Sequence, residues 1–226
     1  MPKLGKRFRA DIEAWDREEV VSLEEAIGRI KSFKKAKFDQ SVELCVHLGI
    51  DAKHADQLIR GAVALPHGIG KTKRVVAFCR EDNIEAAKAA GAVEAGGEEL
   101  VKKVEEGWQE FDVAVASPDM MRVVSRLGKV LGPRGLMPSP KSGTVTPKVA
   151  EAVKEYAAGK LEFRNDSGGN VHAVIGKHSF DADKLIENAQ AFIETIHRMK
   201  PAAAKGLYVK KISLSCTMSP GVLVQV

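Results

Sequence analysis

Cysteine is scarce. Cys45, Cys79 and Cys216 are the three in 226 residues, far apart and odd in number. With no C-x-x-C pair and no His/Cys cluster, neither a zinc site nor a disulfide framework is indicated, and no metal or cofactor is expected. Each cysteine lies in an apolar, strand-like run, where a free thiol behaves as a small hydrophobe and suits a reducing, cytoplasmic setting. Long apolar runs are missing too: none approaches the ~20 residues of a membrane span. The opening "MPKLGKRFRADIEAWDREEV" is charged and has no apolar core of a signal peptide. No membrane partner is expected. Catalytic signatures are also missing: there is no G-x-S-x-G and no H-E-x-x-H, and the six histidines are scattered. An enzyme is not expected, although a site assembled from distant residues would need no local motif.

One stretch imitates a nucleotide site. "ALPHGIGKTKRVVAF", residues 64–78, contains "GIGKT". A phosphate loop needs G-x-x-x-x-G-K-[ST], and counting back five from Gly70 gives Leu65. The order is also wrong, because a phosphate loop follows a strand and opens a helix, whereas here the strand comes after. The glycines suit a bend instead, with Pro66 fixing φ and Gly68 and Gly70 open to conformations closed to other residues.

What is present is an ordinary globular composition, 44% hydrophobic and 29% charged, at a length that suits one large domain or two small ones. The formal net charge of +5 favours an acidic partner without choosing among RNA, DNA and membrane. Most of the excess falls on the chain ends.

The first 20 residues mix charges with few periodic apolar positions and read as a frayed basic arm or as a helix docked elsewhere. Residues 22–35 predict a helix, with Ser22 and Glu25 as a capping box and Leu23, Ile27, Ile30 and Phe33 on one face. Residues 41–48, "SVELCVHL", alternate as a half-buried strand, and a short helix is expected near 54–60. From residue 73 the pattern changes. Strands at 74–79 and 111–117 read as continuous apolar runs, joined by helices at 83–91, 97–107, 118–132 and 146–159, the last with Thr146 as N-cap. That pattern implies a parallel sheet covered on both faces. After Gly159, "KLEFRND" and "NVHAVIG" flank a Gly-rich turn and predict a hairpin. A long helix follows over about 181–199, and then a strand through Ile212, Leu214 and Cys216.

Neither end has enough strands for a sheet of its own. The expected fold is therefore two domains. Residues 1–66 and 160–226 form one α+β domain, and 67–159 form an inserted α/β domain, Rossmann-like and three-layered. The two crossings carry Pro66, Gly68, Gly70 and Gly159 as candidate hinge residues.

Two groups of residues suit RNA. The loop "GKVLGPRGLMPSPKSGTVTP", residues 128–147, carries Lys129, Arg134 and Lys141 with no acidic residue; it reads equally as a phosphate-contacting loop and as a solvated connection. On the chain ends, Lys37, Phe38, Ser41 and Glu43 sit where a strand begins. Arg164, Asp166, a Gly-Gly turn and His172 lie in the predicted hairpin, and Thr217 and Met218 follow the last strand. Hydroxyls, short acids and exposed backbone can read 2′-hydroxyls and splayed bases. Taken singly, Phe38 reads rather as core and His172 as an exposed strand residue.

Beyond these readings, the sequence resembles the L-one family of large-subunit ribosomal proteins in its bacterial form. The resemblance covers nearly the whole chain and rests on "KFDQSVEL", "RGAVALPHGIGKTKRVVAF", "FDVAVASPDMM", "LGKVLGPRGLMPSPKSGTVT", "KLEFRNDSGGNVHAVIGK" and "KPAAAKGLYVKKISLSCTMSPGV". It implies the same two-domain layout, with the ends binding large-subunit ribosomal RNA at a mobile stalk of the ribosome. It also implies a part in releasing deacylated tRNA from the exit site, repression of the protein's own operon mRNA, and no obligate homo-oligomer. The family's RNA-contacting positions fall on Lys37, Phe38, Ser41, Glu43, Arg164, Asp166, Gly169, His172, Thr217, Met218 and Ser219. The sequence departs from the family pattern in four places: Ser41 for a usual Thr, Ser219 for Gly, Ser139 for Asn and Ser167 for Lys. The Ser219 side chain is expected to crowd a close RNA backbone, and Ser167 to remove a phosphate contact.

Overall fold

The computed structural model of the chain describes residues 5–13, 16 and 18–225. Residues 1–4, 14, 15 and 17 of the opening arm lie outside the described residues. In chain order the elements are α1 (Lys6–Glu13), β1 (Val20–Val21), α2 (Leu23–Ser32), β2 (Ser41–Leu48), β3 (Arg60–Val63), β4 (Val75–Phe78), α3 (Glu81–Ala89), β5 (Glu94–Gly96), α4 (Glu98–Glu105), β6 (Val113–Ala116), α5 (Met121–Val124), α6 (Gly128–Leu131), α7 (Val149–Ala157), β7 (Leu161–Arg164), β8 (Asn170–Lys177), α8 (Ala182–Arg198), β9 (Val209–Cys216) and β10 (Val222–Val224). They group into two compact units, one of Met1–Gly70 with Phe163–Val226 and the other of Lys71–Glu162.

The first unit is built on a five-stranded sheet in the order β1-β10-β9-β2-β8. β2 is an inner strand, antiparallel to the edge strand β8 on one side and to β9 on the other along nearly its whole length. The alternation of β2 gives the sheet two unlike faces. Val42, Leu44, Val46 and Leu48 are buried, and α2 and α8 pack on the unit's sheet. Ala26, Ile27 and Ile30 of α2 and Leu185, Ala189, Phe192 and Ile196 of α8 supply their buried stripes. The capping residue of α2 is Ser22, whose Oγ accepts the Glu25 N–H at 3.2 Å. The Glu25 carboxylate turns instead to Arg29, one turn on, so only half of the capping box forms. Lys34 and Lys35 fall beyond the helix, which ends at Ser32.

The second unit carries a three-stranded parallel sheet, β5-β4-β6. Successive residues of β4 and β6 feed opposite layers. Val75, Ala77, Val113 and Val115 pack with Ala87, Val149, Ala152, Val153 and Tyr156. Val76, Phe78, Ala114 and Ala116 pack with Leu100, Val101, Val104, Val124, Leu127 and Leu131. All four residues of each strand are buried, as a sheet covered on both faces requires.

The structure departs from the sequence expectations at several points. Residues 54–60 are not a helix. His54 N–H bonds Asp51 O and Gln57 N–H bonds His54 O as successive turns, and the chain then straightens into β3. That strand pairs with β7, so β7 and β8 do not make the expected hairpin and are joined by the single bridge Asn165↔Val171. The cause is Asn165, 6% exposed: its Oδ1 accepts the Ile59 N–H at 2.8 Å and its Nδ2 donates to Asp166 O at 2.9 Å, which ties β7 toward β3. The expected helix over 118–132 is broken by a tighter 3₁₀ turn at Ser125–Leu127, where Ser125 Oγ donates back to Arg122 O at 2.7 Å and competes with the backbone ladder. Helix α7 starts three residues after Thr146 because Val145 is bridged to Ala116 and the Thr146 N–H bonds Ala116 O. Lys148 occupies the N-cap position, and Thr146 Oγ1 accepts the Lys148 N–H at 3.3 Å.

The "PHGIG" segment is a strap on the first unit. Leu65 and Ile69 are buried, and Asn188, 0% exposed, holds the backbone between them. Its Oδ1 accepts the His67 N–H at 3.1 Å, and its Nδ2 donates to Gly68 O at 3.0 Å and Ile175 O at 2.8 Å. Gly68 and Gly70 have φ of 62° and 70°, and a Cβ on Gly70 would lie 2.9 Å from the Phe180 ring, so glycine is required there. Gly159, with φ 107°, follows the C-cap of α7 and stops that helix. The chain passes between the units at 70–71 and 162–163. Asn188→Leu would leave the buried Ile175 O and the part-buried His67 N–H and Gly68 O without their partner and is expected to destabilise the protein by about 1–3 kcal/mol. The urea midpoint measures this, and a value within about 0.5 kcal/mol of wild type would show that the strap is held by other contacts.

Candidate nucleic-acid interface

The face of the sheet opposite the buried residues of β2 is polar, and the strand register spells it out. Across β8, β2 and β9 run Val174–Glu43–Ser215, then His172–Cys45–Ser213, then Asn170–His47–Lys211. Glu43, His172 and Lys211 are exposed and the other six are half-buried. β2 has eight residues, so the face is about 24 Å long. It is open, shallow and hydrogen-bonding, a surface rather than a cleft.

At the Ser41 end, three segments distant in sequence meet. Thr217 Oγ1 accepts the Ser41 N–H at 3.1 Å, and the Thr217 N–H bonds Ser41 O at 3.1 Å. Lys177 Nζ donates to Ser41 Oγ at 2.9 Å. Gln40, 4% exposed, accepts the Met218 N–H on its Oε1 at 3.0 Å, and its own carbonyl accepts the His178 N–H. The result is a braced platform from which Phe38 and Met218 project, 53% and 51% exposed. Phe38 is therefore not core. Lys37 is exposed beside it. Ser219 does not point outward to crowd a partner: its Oγ accepts the Cys216 N–H at 2.8 Å and donates to Pro220 O at 3.0 Å, closing its own turn.

At the Leu48 end, Asp166 organises the turn into β8. Its Oδ1 accepts the Gly168 and Asn170 N–H groups at 2.9 and 2.7 Å, and its Oδ2 accepts from Asn170 Nδ2 at 3.0 Å. Asn170 Oδ1 in turn meets His47 Nδ1 at 2.8 Å. His172 Nε2 lies 3.7 Å from Asp166 Oδ2. Gly169 has φ 77° and is buried over Leu48 O, 3.1 Å from where a Cβ would sit, so its side-chain-free backbone is a local necessity.

The structure thus gathers Lys37, Phe38, Ser41, Thr217, Met218 and Ser219 at one end of β2, places Glu43 and His172 on the face between, and puts Asp166 and Gly169 at the other end. Arg164 lies apart on β7, exposed. Lys129, Arg134 and Lys141 are exposed in the second unit. There the loop is ordered by Ser142 and Thr144, 1% and 2% exposed: Thr144 Oγ1 accepts the Ser139 N–H at 2.8 Å and Tyr156 Oη donates to Ser142 O at 2.6 Å. Near its base, Lys73 Nζ donates to Lys160 O at 2.9 Å, and burial pulls its ammonium below the ordinary value.

Sequence reasoning missed Gln40, Lys177, Asn170 and Lys211. Gln40 and Lys177 brace residues 178 and 136 positions away, so no local pattern could have marked them. The alternation of β8 and β9 was a usable signal for Asn170 and Lys211, since it placed both on the strand faces away from the buried residues.

Burial, the largest influence in each case, pushes all three thiols up, Cys45 and Cys79 above the ordinary value and Cys216 to about 11. They stay protonated and weakly nucleophilic at neutral pH. Among the described residues, no group of three or more His, Cys, Asp or Glu could hold a metal ion, and no helix is long and apolar enough to cross a membrane. What the first unit presents is an open, polar sheet face.

Comparison with known proteins gives the chain a lineage. Residues 30–220 match the Ribosomal protein L1p/L10e family. The chain is 52% identical to the large ribosomal subunit protein uL1 of Nitratidesulfovibrio vulgaris over 221 residues, 98% of this chain and 94% of the relative. It is 50% identical to the large ribosomal subunit protein uL1 of Kosmotoga olearia over 222 residues, 98% of this chain and 96% of that relative. The chain belongs to the Ribosomal protein L1p/L10e family.

The Asp166 turn yields a pH test. Hydrogen bonds from Asn170, first its side chain and then its N–H, with the Gly168 N–H, hold the Asp166 carboxyl below its ordinary 3.8. A depressed folded value gives stability that is present above the unfolded value and lost as pH falls through the folded one. Asp166→Asn is therefore expected to lower the urea midpoint at pH 7 and to converge with wild type well below pH 3.8. An equal difference at both pH values would mean that the carboxylate charge plays no part.

Proposed function

We propose that this protein is a non-catalytic structural constituent of the large ribosomal subunit that binds large-subunit ribosomal RNA through the open face of its first unit. One observation carries the reading: two proteins named for the large ribosomal subunit are 52% and 50% identical to it along 98% of the chain. The chemistry of the face supports it. Hydroxyls at Ser41, Thr217, Ser213 and Ser215 can meet 2′-hydroxyls, exposed Phe38 and Met218 can receive splayed bases, and Lys37, Lys211 and Arg164 can meet phosphates. Glu43 and Asp166 disfavour indiscriminate polyanion binding and demand register.

In the same reading, the RNA site comprises Lys37, Phe38, Ser41, Glu43, Arg164, Asp166, Gly169, His172, Thr217, Met218 and Ser219, with Lys129, Arg134 and Lys141 of the second unit making secondary contacts. The site sits at the mobile stalk of the ribosome in the cytoplasm, where the protein assists release of deacylated tRNA from the exit site, and it also binds and represses its own operon mRNA. The two chain crossings serve as hinges. The protein needs no cofactor, no membrane and no second copy of itself.

Capture of bound RNA from a lysate followed by sequencing tests the reading. It predicts one large-subunit ribosomal fragment and one messenger leader; indiscriminate recovery with only a steep salt dependence would sink it. A ligand-induced rise in melting temperature with ATP or GTP would instead favour a nucleotide enzyme on the parallel sheet. Thr217→Val removes a hydroxyl from the braced end and is expected to weaken specific RNA binding by about 1–3 kcal/mol; a gel-shift titration with unchanged affinity counts against the site. Replacing Lys71–Glu162 by a short linker is expected to leave specific binding largely intact. If that protein keeps its circular-dichroism signature and fails to bind, the interface lies elsewhere.

A further inference from the structure

We propose that helix α1 is a basic clamp, an additional phosphate-binding surface at the Met218 end of the face. This proposal rests on the RNA reading above. The helix breaks the rules for its own stability. Its first four residues include Lys6, Arg7 and Arg9, while Asp11 and Glu13 sit in its last turn. It has no acidic residue in the first turn and no basic one in the last. That order opposes the helix dipole at both ends, and eight residues are too few for a helix to persist unaided. Locally unfavourable sequence of this kind marks places where function sets the residues.

Two contacts hold α1 against the braced platform. Asp11, 5% exposed, accepts the Lys34 N–H at 3.4 Å, which docks its acidic end on the segment leading to Lys37 and Phe38. Arg7 Nη2 donates to Met218 O at 3.2 Å, which anchors its basic end on the turn that Gln40 braces through the Met218 N–H. Lys6 and Arg9 are exposed, and neither forms an ion pair with a described residue. Lys34, Lys35 and Lys37, also exposed, lead into Phe38, so the two segments joined by the Arg7 and Asp11 contacts bring their cations to the end of the sheet that carries the exposed Phe38 and Met218. Apolar platforms beside cations are the means by which proteins hold unstacked bases and the phosphates that join them. Of the acids in this group, Glu13 is exposed at the far end of α1, Asp11 accepts the Lys34 N–H, and Asp39 is occupied by Ser179, whose N–H and Oγ donate to it at 3.1 and 2.8 Å. In this arrangement Arg7 is a positioning residue, and Lys6 and Arg9 are the phosphate contacts.

The test uses the full-length chain and the ribosomal RNA fragment recovered in the capture experiment, titrated by filter binding over a range of KCl. Lys6→Gln with Arg9→Gln keeps helix-forming side chains. It is expected to lower affinity about 3–10-fold near physiological salt and to reduce the slope of log K against log salt by roughly 1–2, while the preference over an unrelated RNA duplex stays constant. Lys88→Gln with Lys102→Gln, on α3 and α4 of the other unit, is the charge-matched control and should leave the slope unchanged. Equal slopes for the two double variants would overturn the clamp. So would tighter binding by the Lys6/Arg9 variant, which would make α1 a lid over the face. A wild-type chain that binds no ribosomal fragment overturns the RNA reading and the clamp with it. A wild-type chain that binds and is weakened by Thr217→Val but not by the α1 substitutions overturns the clamp alone.

Discussion

The pairing of β2 with β8 and β9 is the interaction on which the rest depends. β2 comes from the first quarter of the chain and its partners from the last quarter, so contacts such as Lys177 Nζ to Ser41 Oγ join residues 136 apart. Closing so long a loop is entropically costly, and the return is an inner strand paired on both edges with every second side chain buried. Between those strands, residues 71–162 fold as a unit on a parallel sheet of their own. A register slip of one residue in β2 would turn Val42, Leu44 and Val46 to solvent and bury Glu43 and His47. The same constraint that builds the core therefore specifies the face.

Around that sheet, small polar devices set the geometry of the surface. Asn165 sends β7 to β3, Asn188 pins the strap across residues 67 and 68, Asp166 forms the turn into β8, and Gln40 holds the Met218 turn. Three of the four carry amide side chains, which donate and accept at once and so can satisfy backbone groups from two segments. Several candidate contact residues prove to have a second occupation: Thr217, Ser219, Asp166 and Gly169 all complete local hydrogen bonds or turns. A partner reading this face meets groups already held in place, which lowers the cost of ordering them on binding.

Much of this organisation was legible along the chain. The alternation of residues 41–48, the continuous apolar runs of β4 and β6 and the stripe of α8 are local patterns with one physical reading each, and they sufficed for two units of different class. The fate of residues 54–60 was not legible, because their turns are decided by Gln57 and by a strand partner about a hundred residues away. Nor was the parting of β7 from β8, since the Gly-rich turn between them has the composition of a hairpin and only buried Asn165 overrules it.

By itself, then, the sequence determined which segments would be strands or helices wherever periodicity was strong, that it carries no C-x-x-C pair and no complete phosphate-loop motif, and that most of the cationic excess belongs to the chain ends. Tertiary structure alone decided which distant residues would stand together: the three rows across β8, β2 and β9, the bracing of Met218 by Gln40 from inside and Arg7 from outside, and the exposure of Phe38. The reason is physical. Periodicity is a property of neighbours in sequence, whereas a surface is a property of neighbours in space, and here the second kind of neighbour is set by the register of β2 against two strands more than a hundred residues away.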